Sequence, residues 1–308
     1  MDTKTYESLG LHRSMTDVDP TRVVNGRANR EIQNALSTPG DRQYHPGPEA
    51  FVAEGTPHGT VRSFRDWAGA RVFPGTVRDL WIYTPAGFDP AGPAPALMVF
   101  QDGAGYLNRE GPVRAAAVFD TLTAAGEMPP TVGVFVMPGK REGSPQQRSL
   151  EYDSVTDDYV RFLLEDLLPF VEQEIGCALT TDPAWRTICG ISSGGICAFT
   201  AAWRRPDAFG RVLSHCGSFT AIRGGHNYPY LIRSTDRKPI RVWMQSGSAD
   251  ADIILGSWPQ ANQAVAASLE FAGYDYKFVF GEGGHSLAHG GAVFADSLRW
   301  LWRSEGAA

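Results

Sequence analysis

The segment Gly190-Ile191-Ser192-Ser193-Gly194-Gly195 sets a serine inside a G-x-S-x-G pattern. Where such a pattern joins a strand to a helix, the serine sits on a sharp, strained turn and its hydroxyl projects above the sheet. The backbones on either side must then approach closely, which favours glycine at 190 and 194. The following helix start aims its dipole and the Ser193 amide at a developing oxyanion. A serine hydroxyl is a weak nucleophile unless a base takes its proton and an acid orients that base. The acid is sought in Ser246-Gly247-Ser248-Ala249-Asp250-Ala251-Asp252, with Asp250 the first candidate and Asp252 the second. The base is sought in Gly281-Glu282-Gly283-Gly284-His285-Ser286-Leu287-Ala288-His289, with His285, directly after the double glycine, preferred to His289. The i, i+4 histidines do not make a zinc site of the H-E-x-x-H kind, because Ser286 stands where glutamate is required. Neither a metal nor any cofactor is expected. A second oxyanion amide is expected from Gln101-Asp102-Gly103-Ala104-Gly105-Tyr106, with Ala104 and Gly105 as the two candidates.

These residues need strands to carry them. Ala96 to Phe100 and Val132 to Met137 are continuous apolar runs bounded by Pro and Gly, the pattern of strands buried on both faces of a parallel sheet. Thr60 to Phe64 and Val77 to Thr84 alternate in part, as sheet edges do. Further strands are expected at Trp185–Cys189, Val212–His215, Ile240–Gln245 and Tyr276–Phe280. Helices are expected at 113–125, 157–174, 193–204, 260–272 and 292–302. In the second of these, Tyr159, Phe162, Leu163, Leu167 and Phe170 recur at helical spacing. The alternation predicts an α/β protein whose mostly parallel central sheet carries helices on both faces. Ligands in such sheets bind beyond the carboxyl ends of the strands, and the candidate residues fall there. His215 ends a strand and is assigned to the core. Residues 1–55 are polar and rich in turn formers, with a short helix opening near Asn29–Ile32. They are expected to form an arm lying on the domain of residues 56–308.

Composition narrows the classes. Of 308 residues, 43% are hydrophobic and 20% charged, as in folded soluble chains. The net charge is −6 with no basic block, so nucleic acid and anionic membranes have no electrostatic claim. No stretch reaches the roughly 20 apolar residues of a membrane span, and the polar start Met1–Ser8 lacks the apolar core of a secretory signal, which points to the cytoplasm. The four cysteines, Cys177, Cys189, Cys197 and Cys216, lie mostly among apolar neighbours and form no Cys-x-x-Cys pair. The arm and a free sheet edge are where a homodimer would form.

The motifs together resemble the putative-esterase family of α/β-hydrolases, which includes enterochelin (ferric enterobactin) esterases, S-formylglutathione hydrolases, and feruloyl and acetylxylan esterases. The likeness covers about residues 58–304. It is carried by Val99-Phe-Gln-Asp102-Gly103, Arg148-Ser-Leu-Glu151-Tyr152-Asp, Leu167-Leu-Pro-Phe-Val, Gly190-Ile-Ser-Ser-Gly-Gly, Ser214-His-Cys-Gly-Ser218-Phe219 and Gly283-Gly-His285. It implies the α/β-hydrolase fold and, position by position, Ser192, Asp250 and His285 as the triad. Within the family the likeness is to enterochelin-esterase-like proteins, whose Arg-x-x-Glu-Tyr element falls here on Arg148 and Glu151. These two either shape the substrate pocket or pair with each other. True enterochelin esterases carry a sizeable amino-terminal β-sandwich, which a polar arm of about 55 residues is too short to form, so their siderophore trilactone is not the expected substrate.

The expected function is hydrolysis of a small carboxylic ester or lactone through an acyl-enzyme. Amide hydrolysis or acyl transfer would use the same triad, and a non-catalytic binding protein on the same fold is the remaining alternative. Asp102, Tyr106, Arg148, Glu151, Phe219 and Trp258 are the candidate substrate contacts. Tyr106, Phe219, Tyr228, Tyr230 and Trp258 are placed on loops beyond strand ends, where they would form an apolar wall.

Overall fold

In the computed structural model, residues 39–144 and 147–304 are described, together with a short antiparallel ladder between Val23–Val24 and Arg27–Ala28. The apolar runs become eight strands: β1 Thr60–Trp67, β2 Arg78–Thr84, β3 Ala96–Gln101, β4 Thr131–Val136, β5 Arg186–Ile191, β6 Arg211–His215, β7 Arg241–Gly247 and β8 Asp275–Gly281. They form one sheet in the order β8-β7-β6-β5-β3-β4-β2-β1. β1 and β2 run antiparallel at one edge, and every pairing from β4 to β8 is parallel. This is the sheet predicted from the alternation of the sequence.

β3 and β4 are buried at every residue. Successive side chains point to opposite faces, so Leu97 and Val99 enter one hydrophobic layer while Met98 and Phe100 enter the other. The helices that cover the sheet are, in chain order, α1 Gly103–Leu107, α2 Ala115–Ala124, α3 Gln147–Tyr152, α4 Asp158–Phe162, α5 Leu168–Ile175, α6 Ser193–Arg204, α7 Tyr228–Ser234, α8 Trp258–Phe271, α9 Leu287–Ala292 and α10 Phe294–Trp302. The first layer packs α4, α5, α6 and α8 on the sheet; the second packs α2 and α10.

Several boundaries differ from expectation. The helix expected over 157–174 is split by a π-helical turn, Leu163–Leu167, between α4 and α5. Pro169 accounts for the break, since it has no N–H and its ring crowds the carbonyl four residues earlier. α8 opens at Trp258, because Pro259 suits the first turn of a helix. The segment 292–302 holds α10, with α9 separate before it. α1, α3 and α7, of five to seven residues, are too short to show a period in the sequence.

Of the arm, the expected helix near Asn29–Ile32 lies outside the described residues. Pro39–Gln43 and Pro48–Ala50 are single 3-10 turns. Among the described residues no helix is long and apolar enough to cross a membrane.

Candidate active site

β5 ends at Ile191 and α6 begins at Ser193, so Ser192 alone makes the turn. Its φ of 58° and ψ of −123° are a strained conformation for a residue with a side chain. The turn is held by the Ser192 amide donating to His215 O at 2.9 Å. The Ser192 carbonyl in turn accepts from the amides of Gly195 and Ser218 at 2.9 and 3.0 Å. A Cβ at Gly190 would stand 2.3 Å from the Gly194 carbonyl oxygen, so position 190 must lack a side chain. The requirement at 194 is milder: a Cβ there would meet Gln101 Cβ at 3.1 Å and Asp102 Oδ2 at 3.2 Å. Asp102 and Cys216, the residues directly after β3 and β6, also have positive φ, at 54° and 46°. Three of the six non-glycine residues with positive φ among the described residues thus follow strand ends, on β5 and its two neighbours in the sheet.

Three side chains from three strand ends meet in hydrogen-bonded succession. Ser192 Oγ lies 2.8 Å from His285 Nε2, and His285 Nδ1 lies 2.6 Å from Asp250 Oδ1. Asp250 is buried and acceptor-only as a carboxylate, so Nδ1 carries the ring proton and Nε2 accepts from the serine. Asp250 also accepts from its neighbours: Oδ1 from the Ala251 amide at 2.7 Å and Oδ2 from Ser246 Oγ at 3.1 Å. Asp252, the alternative acid, is exposed on a small ladder with Ser257 and stands outside this succession. His289, the alternative base, is buried under Tyr44, whose ring stacks on it at 4.0 Å, and its Nδ1 contacts Gln245 Nε2 at 2.9 Å. Burial lowers the pKa of His289 and pushes that of His215 down to about 3, so both rings are neutral.

The Gly105 amide donates to Asp102 O at 3.0 Å and is therefore spent within α1. Ala104 stands in the first turn of that helix, where amides lack an acceptor within the helix, so of the two it is the candidate left.

The remaining expectations divide. Arg148 and Glu151 do not pair with each other. Arg148 grips Asp102 with two hydrogen bonds, at 3.0 and 2.7 Å, on the partly open side of the site. Glu151 is buried against Arg78, accepting at 2.8 and 3.1 Å, and takes further bonds from the Gly139 amide and Gln147. It is a structural anchor and not a substrate contact. The expected aromatic wall is not formed. Tyr106 lies in α1 with its hydroxyl 3.0 Å from His215 Nδ1, while Phe219 and Tyr228 pack edge-on against Phe199. All three are buried, as is Trp258, whereas Tyr230 points to solvent. Apolar burial outweighed the loop positions assigned to them. Trp258 nevertheless stands edge-on to the His285 ring at 5.6 Å.

Two groups at the site have partners that the sequence does not announce, although Ser218 lies in the run Ser214–Phe219. Ser218 Oγ sits 3.2 Å from Ser192 Oγ. Asp41, in the arm, accepts from the Gly284 amide and from Ser286 Oγ, both at 2.8 Å, bracketing His285. Tyr44 OH accepts from the Glu282 amide at 3.0 Å.

Cys216, Asp250 and His285 each offer a donor atom within 4.8 Å of the others, the one such cluster among the described residues. A metal does not fit it as arranged. Two ligands about 2.1 Å from a tetrahedral ion stand about 3.4 Å apart, whereas the His285–Asp250 contact of 2.6 Å is a direct hydrogen bond. Burial, reinforced by the Asp250 carboxylate, raises the Cys216 pKa and keeps it a thiol. Cys189 and Cys197 are likewise buried and free.

The chain is 26% identical over 247 residues to the iron(III) enterobactin esterase of Dickeya dadantii, a match covering 73% of this chain and 51% of that one. It is 29% identical over 199 residues to the enzyme of the same name from Escherichia coli, covering 62% and 45%. The chain therefore spans about half the length of these relatives. The enterobactin esterase of Shigella flexneri, solved with 2,3-dihydroxy-N-benzoylglycine, superimposes with a TM-score of 0.62 at 23% identity, over 84% of this chain and 62% of that one. A ferulic acid esterase from Anaeromyces mucronatus gives 0.64 at 16% identity, over 83% and 95%. The fold is that of the α/β-hydrolases. The family model described as "Putative esterase" matches residues 74–301, and the chain belongs to that esterase family.

Proposed function

We propose that this chain is a serine hydrolase that cleaves a carboxylic ester or lactone through an acyl-enzyme. The observation that carries the reading is the unbroken succession Ser192–His285–Asp250, at 2.8 and 2.6 Å, assembled from three strand ends around a strained serine. His285 Nε2 takes the Ser192 proton as Oγ bonds to the substrate carbonyl carbon, and the π pair moves onto the carbonyl oxygen. The Ser193 and Ala104 amides receive that oxyanion; a single such donor is worth roughly 10²–10³ in turnover. The imidazolium, steadied by Asp250, then protonates the leaving alcohol, and water repeats the sequence on the acyl-enzyme. Residues 56–308 are the catalytic unit in this reading, and residues 1–55 are an arm that steadies it through Asp41 and Tyr44.

The names of the relatives make catecholate and ferulate esters the first substrates to assay, beside p-nitrophenyl esters of graded acyl length. Wild-type protein turns over at least one of these, and Ser192→Ala loses on the order of 10⁶ in kcat. Turnover that survives in Ser192→Ala would remove Ser192 from the chemistry.

A further inference from the structure

Behind the nucleophile lies a second hydroxyl whose hydrogen-bond directions are fully determined. Ser218 Oγ is 3.2 Å from Ser192 Oγ, and Trp258 Nε1 is 3.2 Å from Ser218 Oγ. An indole N–H only donates, so Ser218 accepts from Trp258. Ser192 has committed its own proton to His285 Nε2, because Nδ1 donates to Asp250. The contact between the two serines then has one solution, with Ser218 as donor. Trp258, Ser218, Ser192, His285 and Asp250 form a chain in which each member donates to the next.

Both new members are buried and fixed. Ser218 is 1% exposed and Trp258 fully enclosed. The Ser218 amide holds the Ser192 carbonyl. Asn262 Nδ2, buried in α8, ties Gly217 O to Trp258 O at 2.9 Å each. A buried, preorganised donor pays no reorganisation cost at the moment of reaction.

We infer that Ser218 is a further catalytic residue, a donor that fixes which lone pair of Ser192 Oγ attacks. The inference rests on the serine-hydrolase reading above. A serine oxygen has four tetrahedral directions. In Ser192 one is Cβ, one the proton shared with His285, and one the lone pair bonded to Ser218. The fourth direction, the second lone pair, alone is free to meet the carbonyl carbon. Ser218 keeps its proton throughout, as the Ser192 proton passes to His285 and the new Oγ–C bond forms from the free pair. The bond it donates aligns Oγ before attack, is weakest in the acyl-enzyme, where Oγ is an ester oxygen, and is restored when Oγ leaves during deacylation.

The test is a double-mutant cycle read by the rate of fluorophosphonate labelling and by kcat and KM on one p-nitrophenyl ester. Wild type, Ser218→Ala, Trp258→Phe, the double variant and Ser192→Ala are compared. Ser218→Ala lowers labelling rate and kcat about tenfold, the ordinary worth of one hydrogen bond, with KM unchanged. Trp258→Phe loses less, and the double variant is no slower than Ser218→Ala, because the indole acts through the hydroxyl. Ser218→Cys, close in size but a poor donor, falls with the alanine variant and covers the case in which Trp258→Phe does not fold. Wild-type labelling rates in both Ser218 variants, with Ser192→Ala inert, would overturn the role of Ser218 and leave the triad standing. Turnover in Ser192→Ala would overturn both.

Discussion

Asp41 accepts a hydrogen bond from Ser286 at 2.8 Å across 245 positions of sequence. Its other oxygen accepts from the Gly284 amide, so one carboxylate from the arm grips both neighbours of His285. The loop is otherwise glycine-rich, Gly281-Glu282-Gly283-Gly284, and glycine leaves a chain more states to lose on ordering. The grip therefore supplies order that the loop sequence does not. Asp41→Ala lowers kcat about tenfold, the rate equivalent of about 1.4 kcal/mol, while Ser286→Ala, which removes one of the two bonds, loses less. Steady-state kinetics on one ester, with circular dichroism to check the fold, decides this; an unchanged kcat in Asp41→Ala would show that the loop holds His285 alone.

The two carboxylates near the site are predicted to behave differently. Asp250→Asn reverses the tautomer preference of His285 and costs about 10⁴ in kcat, as loss of an orienting carboxylate does. Asp252→Asn, exposed on its ladder, leaves kcat within twofold of wild type. A large loss in the second variant and none in the first would exchange their roles.

Acid should destabilise the fold through its buried histidines. His215 has its pKa depressed to about 3 by burial. Between that value and the ordinary 6.5 the unfolded chain binds a proton that the native state refuses, so stability falls as pH drops through this window and is complete above it. At 1.36 kcal/mol per pH unit, His215 contributes a loss of about 2 kcal/mol between pH 6.5 and 5. His289 is shifted the same way. Urea unfolding at pH 7 and pH 5 should show a smaller pH loss in His215→Asn than in wild type. Equal losses in the two proteins would mean that His215 is protonated in the folded state.

The Arg78–Glu151 pair is enclosed on all sides, unlike Arg148–Asp102 at the site. Glu151→Ala strands a buried guanidinium and costs about 3–5 kcal/mol. Arg148→Ala, at a partly exposed pair, costs about 1 kcal/mol or less in stability. Thermal melts of the two variants test the contrast, and equal shifts would contradict it.

What the sequence revealed follows from how locally each feature is encoded. β3 and β4 were legible because burial on both faces writes a continuous apolar run. Ser192 was legible because its strained turn demands glycine within two residues on either side. Asp250 and His285 were legible because each follows a strand end within a few residues. Ser218 was legible only as part of the run Ser214–Phe219 and Asp41 not at all, since their partners lie 26 and 245 positions away and no spacing rule links them. Glu151 was misplaced for a related reason: Arg78, its partner, is 73 residues off, while Arg148 is close by. Phe219 and Trp258 were set on loops because the sequence does not show which loops fold inward.

The central claim is that Ser192 is the nucleophile, and active-site labelling tests it most directly. Protein treated with a fluorophosphonate is digested and the modified peptide identified by mass spectrometry, with Ser192→Ala run beside it. The account predicts one phosphonyl adduct, located on Ser192 and absent from the variant. An unlabelled wild-type protein, or a label carried by another residue and retained in Ser192→Ala, would contradict it.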